Sequence, residues 1–137
     1  MNRKLYLRKV HWKEMFLDIQ ERHSEEACGM IAGVVETSCA VFPVTNILHS
    51  PARFLMDPEE QLKVFNYIEE QKWDLLAIYH SHLRGPASPS PIDIVEANYP
   101  EALSLIWSNL SGDWVCQGYL IADGRVTPVP IHIIDSG

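Results

Sequence analysis

One segment constrains this chain more than any other, because it joins a buried strand to a short helix through a loop of breaker residues. The apolar run at residues 75–79 predicts the strand. The Gly-, Pro- and Ser-rich stretch that follows is unsuited to either helix or strand. A helix is predicted over residues 91–98, with Ser90 as its N-cap and Pro91 as its first residue. The loop therefore brings a strand end and a helix start together.

Three side chains of this segment carry the ligand atoms of a zinc site. His80 and His82 are two residues apart, so both imidazoles point to the same side of the strand. Asp93 lies just inside the helix, where the loop returns it to the strand end. Two imidazoles and a carboxylate make up the three protein ligands of a catalytic zinc site, whose fourth position is left for water. A His-x-His pair alone is weak evidence, but with Asp93 in this context it predicts a zinc hydrolase centre.

Amide hydrolysis at such a centre needs two further groups. A carboxylate must take a proton and pass it to the leaving amine, and a hydrogen-bond donor must stabilise the oxyanion. Glu26 is a candidate base, and the Ser90 hydroxyl is a candidate oxyanion donor. Spacing alone does not separate Glu26 from the other candidate carboxylates, which are Glu25, Asp74 and Glu96.

Composition and charge limit the classes of partner. The 137 residues are 47% hydrophobic and 21% charged, which predicts a single globular domain over residues 1–137. A net charge of −7 argues against nucleic acid as the main partner, because phosphate binding requires basic patches. No apolar run approaches the ~20 residues of a membrane span, and the N-terminus lacks the apolar region of a secretion signal. A cytoplasmic protein is therefore expected.

The three cysteines, Cys28, Cys39 and Cys116, have no Cys-x-x-Cys spacing, and each lies in an apolar stretch. This pattern predicts buried free thiols and no disulfide framework, as in cytosolic proteins. A cysteine nucleophile is disfavoured because no histidine stands in a motif paired with one of them.

The rest of the chain alternates between predicted strands and helices. An apolar stripe at Trp12, Met15, Phe16 and Ile19 predicts a first helix, and Asp57-Pro58 predicts the start of a second. The other predicted strands are residues 4–9, 28–35, 39–47 (with Pro43 at an edge or bulge), 53–56, 103–107, 114–121 and 131–134, the last at a sheet edge. The expected fold is α/β, with one curved sheet packed against two main helices and a shorter one that carries Asp93.

The candidate site residues and their spacing resemble the motif of the JAMM (MPN+) metalloproteases. That motif is Glu-x-Cys-Gly, a distant His-Ser-His, ten residues, and Asp, with Ser three positions before the Asp. It is matched here by residues 26–29, residues 80–82, Ser90 and Asp93. The resemblance covers nearly the whole chain and suits the compact stand-alone prokaryotic members. Two departures are Leu83, where the family usually has Pro after the second histidine, and Ser24, where Pro often precedes the glutamate.

The resemblance implies a single MPN-like domain with a mostly antiparallel curved sheet. It implies one zinc ion per chain, bound by His80, His82 and Asp93, with Glu26 as the general base. Ser90 would help to stabilise the tetrahedral intermediate. The implied activity is a peptidase or isopeptidase that acts at the C-terminus of ubiquitin-like or sulfur-carrier proteins. The implied partner is thus a carrier-protein tail.

Two alternatives to this activity stay open. A non-catalytic MPN-type interaction module would carry no stoichiometric zinc, and a zinc hydrolase of small amide conjugates would prefer a small amide to an isopeptide.

The position of the substrate tail is also open. A glycine tail could add as a strand along an exposed edge, with residues 54–56 or the segment after Ser81 as the edge. Of the histidines outside the motif, His49 could approach the cleft, whereas surface or packing positions are expected for His11, His23 and His132.

Overall fold

A computed structural model describes residues 3–135 of the chain; the expected domain limits at residues 1 and 137 lie outside this range. The described residues contain eight strands and three helices. The strands are β1 (Leu5–Arg8), β2 (Cys28–Val34), β3 (Thr37–Val44), β4 (Asp74–His82), β5 (Leu103–Ser108), β6 (Val115–Ala122), β7 (Arg125–Val129) and β8 (Ile131–Ile134). The helices are α1 (Lys9–Glu21), α2 (Pro58–Gln71) and α3 (Pro91–Val95).

All eight strands belong to one sheet, in the order β7-β6-β5-β4-β2-β3-β1-β8. Pairings of β2 with β3 and β4, and of β6 with β5 and β7, are antiparallel; β4–β5, β1–β3 and β1–β8 are parallel. The end strands β7 and β8 are separated along the chain only by Pro130, whose carbonyl accepts a hydrogen bond from the Leu5 N–H at 3.1 Å. Two opposite ends can be this close only if the sheet bends back on itself. The predicted α/β fold with a curved, mostly antiparallel sheet is confirmed.

Helices cover both faces of the central strands. The α1 residues Met15 and Ile19 are fully buried in the larger core cluster, which also contains Tyr79 of β4. The next residue towards the N-terminus, Ile78, packs against the second cluster together with Phe65 of α2. Because successive residues of a strand face opposite ways, β4 is enclosed between the two helices. The predicted helical stripe is thus part of the core.

The structure corrects three sequence predictions. Residues 53–56 form no strand and make only a single bridge, between Asn46 and Met56. The helix that starts at Pro91 ends at Val95, three residues before the predicted end. Pro43 lies on β3, which is not an edge strand, but β1 pairs with β3 only at Thr37. The missing N–H of Pro43 therefore needs no partner on that side.

The prediction of three buried, free thiols holds only in part. Cys28 is buried, whereas Cys39 and Cys116 are half-buried, and all three are free. In the range 3–135, no helix combines the length and the apolar character that a bilayer crossing would require.

A partly buried polar network fixes β4 directly behind its histidine-bearing end. The Tyr79 hydroxyl donates to Asp18 at 2.6 Å, and Arg22 donates to both carboxylate oxygens of Asp18. Arg22 also donates to the carbonyls of Val44 and Cys28, each at 2.7 Å. One guanidinium thus ties α1 to β2 and β3, and through Asp18 to β4. These contacts give β4 a defined position relative to the rest of the sheet.

The same tyrosine explains the glycine of the Glu-x-Cys-Gly motif. Gly29 pairs with Tyr79 across β2 and β4, and the tyrosine ring lies over the glycine. A Cβ atom added at Gly29 would lie 2.4 Å from a carbon of that ring, closer than real Cβ contacts. Gly29 is therefore required by packing against the residue that precedes His80.

We predict that Gly29→Ala lowers the free energy of unfolding by about 1–3 kcal/mol, because the Tyr79 ring cannot move without breaking its bond to Asp18. Gly85→Ala is the matched control, since an added Cβ there meets its nearest atom at 3.5 Å. Urea denaturation of both variants measures the difference. Equal stability of the two would contradict this explanation of the glycine.

Candidate metal centre

The three predicted ligands meet at the end of β4. His80 and His82 are buried on the same side of that strand, and Asp93 reaches them from the first turn of α3. Pairing fixes His80 from both sides, opposite Cys28 of β2 and Ile106 of β5. One ligand atom from each of the three residues falls within 4.8 Å of the others. The structure thus brings together three side chains that are up to thirteen positions apart in the sequence.

The distances within this cluster match those of a tetrahedral metal site. The Nε2 atoms of His80 and His82 are 3.1 Å apart, and Asp93 Oδ2 lies 3.2 Å from His80 Nε2 and 3.0 Å from His82 Nε2. A tetrahedral zinc ion with bonds of about 2.0–2.1 Å would hold its ligands roughly 3.3 Å apart. The triangle is therefore close to the size needed, and its donor set of two nitrogens and one oxygen suits zinc.

Neighbouring groups orient each ligand. His82 Nδ1 lies 2.8 Å from the Pro86 carbonyl, which can only accept, so Nδ1 carries a proton and Nε2 is the ring atom that faces the cluster. Nε2 donates to Asp93 while His82 is protonated and offers its lone pair to a metal once that proton is lost. The Ser90 N–H donates to Asp93 Oδ2 at 2.9 Å, and the Asp93 N–H donates to Ser90 Oγ at 3.1 Å. This reciprocal capping box both starts α3 and aims the carboxylate. The Phe54 ring stacks on His80 with 4.5 Å between ring centres.

The protonation states suit cation binding. Although burial opposes it, hydrogen bonds from His80 and His82 hold the pKa of Asp93 well below its usual range. Burial lowers the pKa of His80. For His82, burial is outweighed by hydrogen bonds to Asp93 and Pro86, which raise the pKa. At neutral pH the cluster therefore offers an ionised carboxylate and a neutral His80, and a metal would compete only with a proton on His82.

Glu26 is the carboxylate that shares this buried environment. It lies two residues before β2 and is only 5% exposed. Its backbone is held by Ser50, whose carbonyl accepts from the Glu26 N–H at 2.8 Å, and by the buried Asn46, whose amide donates to the Glu26 carbonyl at 3.0 Å. Burial raises the pKa of Glu26 to about 7; the charge of Asp93 adds to this rise and that of His82 opposes it. A carboxyl group with such a pKa can both accept and release a proton near neutral pH.

The other candidate carboxylates are engaged elsewhere or lie far away. Glu25 pairs with His49 at 3.0 Å, and Glu96 pairs with Arg53 at 3.1 Å. Asp74 begins β4 and lies six positions before His80 along the strand, roughly 20 Å away. Of the four carboxylates that are candidates for the base, Glu26 is thus the one whose pKa is affected by the charges of the cluster. His49, which the sequence left as a possible neighbour of the cleft, is thus paired with Glu25.

Ser90 Oγ accepts a hydrogen bond from the N–H of Asp93, which leaves its own hydroxyl proton free to donate.

Burial raises the pKa of the Cys28 thiol to about 12 and also raises the pKa of Cys116 well above its usual range. Thiols this resistant to ionisation are poor nucleophiles, which agrees with the absence of a paired cysteine–histidine motif in the sequence.

Sequence reasoning missed a cavity beside the cluster, with a volume of about 180 Å³. His80 and Asp93 line one end of it. Its walls come from segments far apart in the chain, so no local pattern could reveal it. The wall residues include Arg53, Phe54, Leu55, Met56, Glu96, Tyr99, Leu103 and Ser104.

Comparisons with known proteins agree with this geometry. Residues 8–118 match the family model described as prokaryotic homologs of the JAB domain. The chain is 34% identical over 116 residues to a CysO-cysteine peptidase of Mycobacterium tuberculosis, which covers 82% of this chain and 80% of that protein. It is 38% identical over 96 residues to a probable TtuB-protein conjugate cleaving protease of Thermus thermophilus, covering 69% and 64%.

A solved structure shows the same fold. The solution structure of a protein from Desulfitobacterium hafniense is 31% identical, has a TM-score of 0.86, and is matched over 96% of this chain and 94% of that one. The family model spans β2, β4 and α3, and so includes all the residues of the predicted motif. This chain therefore belongs to the prokaryotic homologues of the JAB domain.

Proposed function

We propose that this protein is a zinc-dependent peptidase or isopeptidase that hydrolyses the bond at the C-terminus of a ubiquitin-like or sulfur-carrier protein. The observation that carries the proposal is the triangle of His80, His82 and Asp93 with Glu26 buried beside it. The names of the two relatives, a peptidase of CysO-cysteine and a protease of TtuB-protein conjugates, support this class of substrate.

In the proposed mechanism, zinc bound by His80, His82 and Asp93 would supply a Lewis acid that polarises the scissile carbonyl and acidifies a water molecule. Glu26 takes a proton from the attacking water and transfers it to the leaving amine, and its raised pKa suits both steps. The Ser90 hydroxyl donates to the oxyanion as it develops. His82 is held in the metal-binding tautomer by the Pro86 carbonyl.

We place the carrier tail along Phe54, the first of the two candidate edges. Residues 45–47 occupy one side of this segment through the Ile47 N–H to Leu55 carbonyl bond and the Asp57 N–H to Thr45 carbonyl bond. Within residues 3–135 the main chain of Phe54 makes no hydrogen bond, and Phe54 lines the cavity that ends at His80 and Asp93. An extended tail can pair with this backbone as an added strand. Its last carbonyl then reaches the cluster.

We predict that Glu26→Gln reduces kcat for cleavage of a carrier-tail amide by about 10²–10⁴-fold, because amide oxygen cannot take the proton. Zinc content, measured by plasma mass spectrometry, stays near one ion per chain, since the three ligands remain. Glu25→Gln is the control: it alters the adjacent carboxylate, which faces His49, and is expected to retain activity. Undiminished turnover by Glu26→Gln would remove Glu26 from this role.

We also predict that dialysis against a chelator abolishes cleavage and that added zinc restores it. His80→Ala is expected to lose stoichiometric zinc, because it deletes one of three convergent donors. An interaction module without catalytic function would instead show no zinc uptake by the wild-type protein. A metal-depleted protein that still cleaves at the full rate would rule out zinc catalysis.

A further inference from the structure

Asn46, two residues after β3, is fully buried although its side chain is polar. Its amide makes four hydrogen bonds, all of them to main-chain groups. Nδ2 donates to the carbonyls of Glu26 and Arg53, each at 3.0 Å. Oδ1 accepts from the N–H groups of Leu48 and Leu55, each at 3.1 Å. Two donors and two acceptor sites are all that this side chain possesses, so its burial leaves no polar capacity unpaired.

Two of these bonds lie on either side of Phe54. The Arg53 carbonyl belongs to the peptide group before Phe54, and the Leu55 N–H belongs to the peptide group after it. One side chain therefore holds both peptide groups that flank this residue. Because the Phe54 ring stacks on His80 with 4.5 Å between ring centres, the bonds of Asn46 also help to fix that ring against a predicted metal ligand.

A third bond of Asn46 reaches the peptide group that joins Glu26, the candidate base, to Ala27. Asn46 binds the carbonyl of this peptide group, and the Ser81 hydroxyl accepts a hydrogen bond from its N–H at 2.9 Å. The Ser81 N–H donates in turn to the Ala27 carbonyl at 3.0 Å. Ser81 is fully buried and lies between the two histidines of β4. The peptide group next to the base is thus held by the histidine-bearing strand on one side and by Asn46 on the other.

We propose that Asn46 is a positioning residue that fixes the base relative to residues 53–55, the segment on which the substrate tail lies; this inference rests on the function proposed above. Within the described part of the chain, its side chain makes no hydrogen bond to the three predicted ligands. Asn46 therefore acts through Glu26 and through residues 53–55. The side chain of Ser81 shares only the first of these two tasks, because it bonds to Ala27 alone.

Asn46→Ala removes all four bonds and is assayed as zinc-loaded protein on an internally quenched peptide with a glycine tail before the scissile bond. We expect kcat to fall about 10–100-fold, because a displacement of about 1 Å at a reacting group can cost that much. We expect KM to rise about threefold to tenfold, since the tail binds only those molecules in which residues 53–55 keep their path. Zinc affinity, measured by chelator competition, should change less than about threefold, because Asn46 contacts no ligand.

Ser81→Ala is the matched comparison, because it frees the Ala27 N–H and leaves the bonds to residues 53–55 intact. Its kcat should fall in the same way as that of Asn46→Ala, whereas its KM should stay at the wild-type value. A rise in KM equal to that of Asn46→Ala would overturn the proposed link to residues 53–55. Wild-type kcat and KM in Asn46→Ala would overturn the proposal as a whole.

Two controls separate positioning from a general loss of stability. Asn66→Ala removes an exposed amide of the same type from α2 and should keep both kinetic constants. Leu5→Ala removes a fully buried side chain from β1, which β2 and β3 separate from β4, and should lower stability with kcat and KM unchanged. If Leu5→Ala at an equal loss of stability showed the same kinetic defect as Asn46→Ala, the positioning role would be wrong.

Asn46→Asp carries the test if Asn46→Ala does not fold. Its carboxyl group keeps the acceptor oxygen for the Leu48 and Leu55 N–H groups and, protonated by burial, offers one donor in place of two. We expect losses in kcat and KM in the same direction as for Asn46→Ala, but smaller. Zinc binding that falls in parallel with activity would assign the defect to the ligands and contradict the proposal.

Amide hydrogen exchange and peptide binding test the proposal without cleavage. In Asn46→Ala, peptides that contain Ala27 and Leu55 should exchange faster together, while the middle of β4 keeps its wild-type protection. Calorimetry with the free glycine-tail peptide should show weaker binding to the zinc-loaded variant. If the wild-type protein cleaves nothing but the variant shows both effects, the positioning role stands and the hydrolase proposal falls. If exchange is unchanged at both sites, the positioning role is wrong whether or not the protein cleaves.

Discussion

The pairing of β4 with β2 and β5 is the interaction on which the whole site depends. It fixes His80 between Cys28 and Ile106 and places Glu26, which lies two residues before β2, beside the histidines. The network of Tyr79, Asp18 and Arg22 holds the same strand from behind. Four side chains from three segments of the chain therefore come together at this end of the sheet.

Burial of this strand end also determines the electrostatics. An ionised Asp93 is stabilised by the two histidines, whereas the neighbouring Glu26 receives no such hydrogen bonds, and burial raises its pKa to about 7. Two neighbouring carboxyl groups thus have opposite preferences for a proton. This difference is what separates a ligand from a base in the proposed mechanism.

The cleft has a different origin from the metal cluster. Its walls combine strand residues of the sheet with two irregular segments, residues 52–56 and 96–99. Arg53 pairs with Glu96 between these two segments, and Gln61 of α2 donates a hydrogen bond to Tyr99 at 3.3 Å. Such contacts are exposed and weak compared with those that hold β4. The metal cluster and the route to it are thus held by different sets of contacts.

The sequence by itself determined most of the elements and the candidate ligand set, because strand alternation, the Ser90-Pro91 helix start and the residue types of the motif are local properties. It predicted the stripe of α1, the start of α2 and the convergence of His80, His82 and Asp93. It did not separate Glu26 from Glu25, Asp74 and Glu96, nor show the cavity or the ion pair between Arg53 and Glu96. Those features were decided only by the tertiary structure, since each depends on burial and on distances between segments that are far apart along the chain.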